Sequence, residues 1–331
     1  MGLQGNNPGT YFAFSMIVIL SFLGNMLVLG VMITKRDNLK KPYNIFICSL
    51  ACTDIITVIF LIFSRYLYLP DMPENEFAAT LFCSTIWNAC ILFGLGYVSI
   101  YTCLVLTIER WLAIVKPNTY RKTKPRHAVA VVATVWFWGL LVQATTLFRG
   151  KADFEKGTCK WVKLSIGEGP FPYIDMTLQC IIPFSAMVGL YSHMLYKVKK
   201  MPYLLQGRGA VITKRITILA LAASSALIIG WLPSRISFML SKLNLNDANG
   251  LVHFWLVVFS FANSFVNPIL YGVYSSEFRN DYKALLSKIL CLRGARVSPG
   301  EEMSQTDTVN CVTVGEAKES EKADVSQAIS A

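Results

Sequence analysis

Seven apolar runs, each long enough to cross the hydrocarbon core of a bilayer, constrain this chain more than any other feature. They fall at roughly residues 11–34, 43–69, 82–115, 128–148, 171–196, 216–241 and 251–275. Of its 331 residues, 54% are hydrophobic and only 15% charged, which excludes an ordinary soluble domain. In lipid, every backbone polar group must be satisfied by a helix or a closed barrel. The runs are too long for barrel strands and lack in–out alternation. The expectation is an all-α membrane protein, a seven-transmembrane helix bundle.

A net charge of +11 could point to nucleic acid, but its placement follows a membrane instead. Basic residues gather on alternate sides of the runs. One side holds Lys35, Arg36, Lys40 and Lys41, then Lys116, Arg121, Lys122, Lys124 and Arg126, then Lys197, Lys199, Lys200, Arg208, Lys214 and Arg215. By the positive-inside rule that side is cytoplasmic, which puts the N-terminus outside and the C-terminus in the cytoplasm. Seven crossings require the same parity, and no nucleic-acid partner is expected. The expected plan is a short extracellular N-terminus (1–10), a seven-span domain (11–275), an amphipathic cytoplasmic helix (276–291) and a disordered cytoplasmic tail (292–331). No cleavable signal peptide is visible, and with about ten residues before the first run the expectation is an outside without a ligand-binding ectodomain.

The last run interrupts its apolar character with Asn263, Asn267 and Tyr271, four apart and so on one helical face. Pro268 lacks an N–H and its ring clashes with the Ser264 carbonyl, so the helix should kink there. Asp54 is the lone carboxylate deep in a run. An ionised group there costs at least about 2.5 kcal/mol, so it needs a partner or a proton. Asn25, Ser99, Asn263 and Asn267 offer oxygens. Of the nine cysteines, Cys83 opens the third run and Cys159 sits in the longest outside loop. Both face the oxidising side, and a disulfide between them would tie that loop to the bundle. Cys291 follows the amphipathic segment and is a candidate for palmitoylation or a free thiol.

Read together, the runs carry one landmark each: Gly24-Asn25, Leu50-Ala51-Cys52-Thr53-Asp54, Glu109-Arg110-Trp111, Trp136, Pro183 with Tyr191, Gly230-Trp231-Leu232-Pro233, and Asn267-Pro268-Ile269-Leu270-Tyr271. In that order they resemble the rhodopsin-like (class A) G protein-coupled receptors over roughly residues 11–291. The resemblance implies a cell-surface receptor that activates a heterotrimeric G protein. It implies an activation switch of Glu109, Arg110, Tyr191, Trp231, Pro233, Asn267, Pro268 and Tyr271. It also implies an allosteric sodium ion held by Asp54, Ser99, Asn263 and Asn267; the alternative is a protonated Asp54 in a hydrogen-bonded network. No other cofactor is implied. Three departures from the family pattern stand out. Cys83 precedes Arg110 by 27 positions where the family usually has 25, so the outer end of the third span should be offset or bulged. No acidic partner for Arg110 is found on the sixth run, where Thr213 and Lys214 stand. Trp111 replaces a tyrosine and should pack on the second inside loop.

For the ligand, the outer half of the bundle is the expected place. The position of the amine-binding aspartate is Leu92, and that of the retinal-binding lysine is Phe261, which disfavours both ligand classes. Arg235, near Phe238, and Arg65 are candidate ligand contacts, fitting a carboxylate, a phosphate or a peptide C-terminus. The alternative is rim pairing with Asp71, Glu74, Glu76 or Asp175. A small peptide is the leading expectation and a carboxylate-bearing lipid or metabolite the next. Further partners implied are arrestin and a receptor kinase, through tail sites such as Ser304, Thr306, Thr308, Thr313 and Ser320, and membrane lipids. A seven-span transporter or channel is the rival from another class, but no internal repeat is evident. No metal-ligand cluster, nucleophile motif or phosphate loop marks an enzyme.

Overall fold

The computed structural model describes residues 8–34, 39–62, 72–162, 171–201, 210–243, 245, 250–275 and 278–287. Seven helices are long and apolar enough to span a membrane: Pro8–Thr34, Pro42–Leu61, Cys90–Val115, Pro125–Phe148, Tyr173–Lys200, Thr213–Ser241 and Leu251–Tyr274. They are called spans one to seven below. Proline starts spans two and four, at Pro42 and Pro125, where its missing N–H costs nothing. Span three is the most buried, with a continuous inward list from Cys90 to Ile114. Outward faces stay apolar, as at Leu23, Phe137, Val188, Ile229 and Phe259, which suits hydrocarbon rather than water as solvent. Residues Met1–Arg279 form one compact unit and Asn280–Ala331 a second. Residues 278–287 are helical, within the segment expected to be amphipathic.

The third run is not one continuous helix from residue 82, as its apolarity indicated. A short helix, Glu76–Phe82, capped by the Asn75 side chain, leads into a π-helical turn at Cys83–Trp87. Asn88 and Ala89 then break the helix, Ala89 in the left-handed region at φ 56°, and span three restarts at Cys90. The wide turn and the break absorb the two extra residues between Cys83 and Arg110. Asn88 repairs the break: its Oδ1 accepts from Cys90 N at 2.9 Å and its Nδ2 donates to the Thr146 carbonyl at 2.9 Å.

The Cys83–Cys159 disulfide is formed, with Cα atoms 5.5 Å apart. It fastens a hairpin that the sequence did not announce, β1 (Gly150–Asp153) paired antiparallel with β2 (Thr158–Trp161). A side chain at Gly150 would lie 2.2 Å from the Cys83 carbonyl, so the strand reaches the bundle only as glycine. The Lys160 ammonium, bonded to Asp153 at 3.1 Å, holds that carboxyl below its usual range.

Span five bends through a π-helical turn at Thr177–Ile181, just before Pro183. Pro183 has no N–H to give the carbonyls of that turn, which favours the wider winding. The turn exposes the Leu178 carbonyl, and Tyr101 of span three donates to it at 2.5 Å. Tyr101→Phe removes only that hydroxyl. It should lower stability by about 1–2 kcal/mol, since a half-buried carbonyl loses its added donor. Thermal unfolding of the purified protein in detergent measures this; an unchanged midpoint would show that the bulge needs no support from span three.

Candidate functional site

Glu109 and Arg110 occupy the last turns of span three and form a buried, two-pronged ion pair. Consecutive helical residues point about 100° apart, so the pair needs support to face one way. Tyr120 supplies it from the four-residue helix Pro117–Tyr120: its hydroxyl donates to Glu109 Oε1 at 2.6 Å and accepts from Arg110 Nη2 at 3.3 Å. The Arg110 guanidinium also stands 4.6 Å from the centre of the Tyr43 ring, at the start of span two. Burial and then the Glu109 carboxylate push the Tyr120 phenol up to about 12, against the opposing pull of Arg110, so it remains a neutral donor at pH 7. Among the described residues, Glu109 is the acidic side chain paired with Arg110.

Spans three, five and six meet beside this clamp through hydroxyl groups. Thr107 Oγ1 lies 3.3 Å from Tyr191 Oη and 3.4 Å from Ser224 Oγ, and Tyr191 Oη lies 3.3 Å from Ser224 Oγ. All three residues are buried. Tyr271 is instead stacked on Phe278, with ring centres 5.3 Å apart. Arg110 is held here by Glu109 and Tyr120, with the Tyr43 ring against its guanidinium. Trp111 corrects one expectation: its indole N–H donates to His193 Nδ1 of span five at 2.9 Å, while only its ring face takes Lys116 of the inside loop.

Midway along the bundle, Asn267 Nδ2 donates to Asp54 Oδ2 at 3.2 Å, and Ser264 also bonds the carboxylate. Asn25 Nδ2 donates to the Ser264 backbone carbonyl at 2.9 Å. That carbonyl is the one left without a helical donor by Pro268, four residues on. Gly24 allows this contact, because a Cβ there would lie 2.8 Å from the Pro268 ring. Asn263 and Ser99 are buried on spans seven and three, and among the described residues neither forms a hydrogen bond to Asp54. Two buried oxygens, Asn25 Oδ1 and Asn263 Oδ1, have no hydrogen-bond partner.

Toward the disulfide end, Trp231 packs against Tyr97 and Phe261, with centres 6.1 and 5.8 Å away. It reaches span three only because Gly96 has no side chain; a Cβ there would lie 2.0 Å from the indole. Pro233 bends span six, and Ser260 of span seven donates to the Gly230 carbonyl beside the bend at 3.0 Å. Arg235, one turn beyond Trp231, points at span three: its Nη1 donates to Tyr97 Oη at 2.6 Å. Tyr97 in turn donates to Gln179 Oε1 of span five at 2.6 Å.

Of the expected ligand contacts, Arg235 is buried against span three, Leu92 is sealed in the core, and Phe238 packs by its ring on His253. Arg65, Cys291 and the tail sites lie outside the described residues. Sequence reading missed Tyr43 and Tyr120 around Arg110, Thr107 and Ser224 around Tyr191, Ser264 beside Asp54, and Tyr97 and Gln179 beside Arg235. Only Tyr120 left a signal, as a tyrosine closing a proline-started turn ten residues after Arg110.

Residues 24–271 match the family model described as 7 transmembrane receptor (rhodopsin family). The chain is 24% identical over 299 residues to the follicle-stimulating hormone receptor of Equus asinus, covering 89% of this chain and 43% of that receptor. It is 26% identical over 292 residues to somatostatin receptor type 5 of Rattus norvegicus, covering 84% of this chain and 76% of that receptor. The chain therefore spans less than half the length of the follicle-stimulating hormone receptors it matches. Seven membrane-spanning helices, an Arg110 clamp at one end and a disulfide-fastened hairpin at the other agree with that match: the chain is a multi-pass membrane protein of the rhodopsin family of seven-transmembrane receptors.

Proposed function

We propose that this chain is a plasma-membrane receptor, N-terminus outside and C-terminus in the cytoplasm, that binds a small extracellular peptide and activates a heterotrimeric G protein. The observation that carries the reading is the Arg110 clamp. Its partners sit on span three, the loop after it and span two, so Arg110 can be released without breaking an ion pair to span six. A ligand can move such an equilibrium only by its difference in affinity for the two states. The names of the relatives, follicle-stimulating hormone receptor and somatostatin receptor type 5, favour a hormone or peptide ligand. A carboxylate-bearing lipid or metabolite is the second reading, favoured by the lack of any ion pair to Arg235 among the described residues. The tail serves a receptor kinase and arrestin in this reading, and the amphipathic segment meets lipid headgroups. The test is nucleotide exchange by a co-expressed G protein, challenged with a peptide and metabolite library. Ion currents or uptake without any exchange would point to the transporter class instead.

Tyr120→Phe should raise ligand-independent exchange by up to about tenfold. It deletes a hydrogen bond to a charged carboxylate, worth about 1.5 kcal/mol in the clamped state. Unchanged or lower basal exchange, at equal surface expression, would remove Tyr120 from the clamp.

We propose that a sodium ion binds at Asp54, with the Asn267 amide, which here donates its N–H to the carboxylate, turning its oxygen inward. The donor set of Asp54, Ser99, Asn263 and Asn267 is all oxygen, which suits a hard cation, and Asn263 Oδ1 is a buried acceptor in want of a donor or a metal. A bound cation supplies the charge that lets Asp54 stay ionised in the bundle. Replacing potassium by sodium should lower basal exchange in the unmodified chain and have no effect in Asp54→Asn. Equal sodium sensitivity in both proteins rules the site out.

A further inference from the structure

Arg235 is a cation in the wrong place for stability. Its side chain is only 8% exposed, yet among the described residues no carboxylate lies within ion-pair distance. Glu74 and Glu76 are exposed, and Asp175 bears electrostatically on Tyr97. Its guanidinium makes one hydrogen bond, from Nη1 to Tyr97. Nε is buried without an acceptor. The charge leans instead on aromatic faces: Phe93, Trp231 and Tyr97, with ring centres 4.7, 5.3 and 5.7 Å away. Such contacts offset only part of what burying a charge costs.

The unused donors share a direction. In a guanidinium, the Nε–H and one N–H of Nη2 form a side-on fork that matches the two oxygens of a carboxylate. The Tyr97 bond occupies the opposite side of the group, and Gln179 fixes the Tyr97 hydroxyl so that it accepts from Arg235 and does not compete for the fork. Phe93 and Phe261, 5.7 Å apart, continue the apolar wall beside it.

We propose that Arg235 is the anchor for one carboxylate carried by the ligand on an aromatic or otherwise apolar body, received on the Nε–Nη2 fork, with Tyr97 and Gln179 as the residues that position that fork. The inference rests on the receptor reading and deepens it. A peptide C-terminus and a simple aryl acid present the same group. Trp231 lies under the same guanidinium, so a ligand that pulls on Arg235 acts at once on the residue beside the Pro233 bend. A phosphate dianion is disfavoured, because a single cation faces the site among the described residues.

Thermal unfolding of the full-length protein in detergent tests this without a G protein. Without ligand, Arg235→Gln should unfold no earlier than the unmodified protein, and up to about 2–4 °C later, because an unpaired buried charge has gone. A fall of several degrees would mean that Arg235 holds the fold together, and would overturn the proposal. With millimolar probe, 4-phenylbutyrate or N-acetylphenylalanine should raise the midpoint where 4-phenylbutyramide or N-acetylphenylalaninamide does not. Stabilisation by only the N-acetylated acid assigns a peptide C-terminus, and stabilisation by both acids or by phenylbutyrate alone assigns a simple acid. Tyr97→Phe should halve the acid-over-amide difference or more, and Arg235→Gln should abolish it. No response to either acid, equal responses to acid and amide, or a response that survives Arg235→Gln each overturns the proposal. Nucleotide exchange on the same preparation reports the receptor reading separately, so either can fail alone.

Discussion

A backbone carbonyl that loses its helical donor inside hydrocarbon must find another, and this requirement organises the bundle. Pro268 frees the carbonyl of Ser264, and Asn25 of span one takes it. The π-helical turn before Pro183 exposes the Leu178 carbonyl, and Tyr101 of span three takes it. Near Pro233, Ser260 of span seven adds a bond to the Gly230 carbonyl. The break at Asn88 is tied to the Thr146 carbonyl at the end of span four. At each joint, the side chain that repairs the backbone belongs to, or reaches, a different span. The places where helices are weakest are therefore the places where neighbouring spans are sewn together. A bend in one span cannot change without releasing a bond to another, which is what makes a bundle of helices respond as a unit.

Two buried arginines show how the same chemistry serves opposite ends. Arg110 has its carboxylate on the adjacent residue, its hydroxyl from Tyr120 and an aromatic face from Tyr43. It is satisfied, and satisfaction is what holds it. Arg235 has one neutral hydroxyl and three rings. Between them lie Trp231 and Leu227 of span six and the hydroxyl cluster of Thr107, Tyr191 and Ser224. The first arginine favours the state in which it is clamped; the second favours whatever state brings it an anion. Because binding free energies are reciprocal, a partner that prefers Arg110 released would tighten a ligand near Arg235 that prefers the same state, and weaken one that prefers the clamped state.

How much of this could be read from sequence depended on contrast with the surroundings. Seven spans were legible because an apolar run needs no partner to be recognised, and Asp54 and Asn267 because polar groups stand out in such runs. The offset at the outer end of span three was legible as a count: 27 residues from Cys83 to Arg110 need room, and the π-helical turn and the Asn88-Ala89 break provide it. What stayed hidden were tyrosines. Tyr97 and Tyr101 look like ordinary apolar-face aromatics, and their hydroxyl partners lie 77 to 138 positions away. The kink residue Pro268 was readable, but not the Asn25 donor that takes its freed carbonyl, because a carbonyl acceptor has no sequence signature. Trp111 was misplaced for a related reason: its indole N–H found His193, a contact set by how spans three and five cross.

The hydroxyl cluster also sets how spans three and six are joined in this structure. It joins spans three and six through Thr107 and Ser224 at 3.4 Å, each 3.3 Å from Tyr191 of span five. Neutral hydroxyl contacts contribute about 1 kcal/mol each, and Thr107 also spends its donor on the Cys103 carbonyl at 2.8 Å. Span six is thus restrained by dipoles that ionic strength does not screen, whereas a surface ion pair weakens as salt rises. The charged part of the resting state, Glu109 with Arg110, lies wholly within span three and resists screening because it is buried. Separating these hydroxyls costs about 1 kcal/mol per contact, while parting Glu109 from Arg110 breaks a buried, charge-assisted pair that costs several times more.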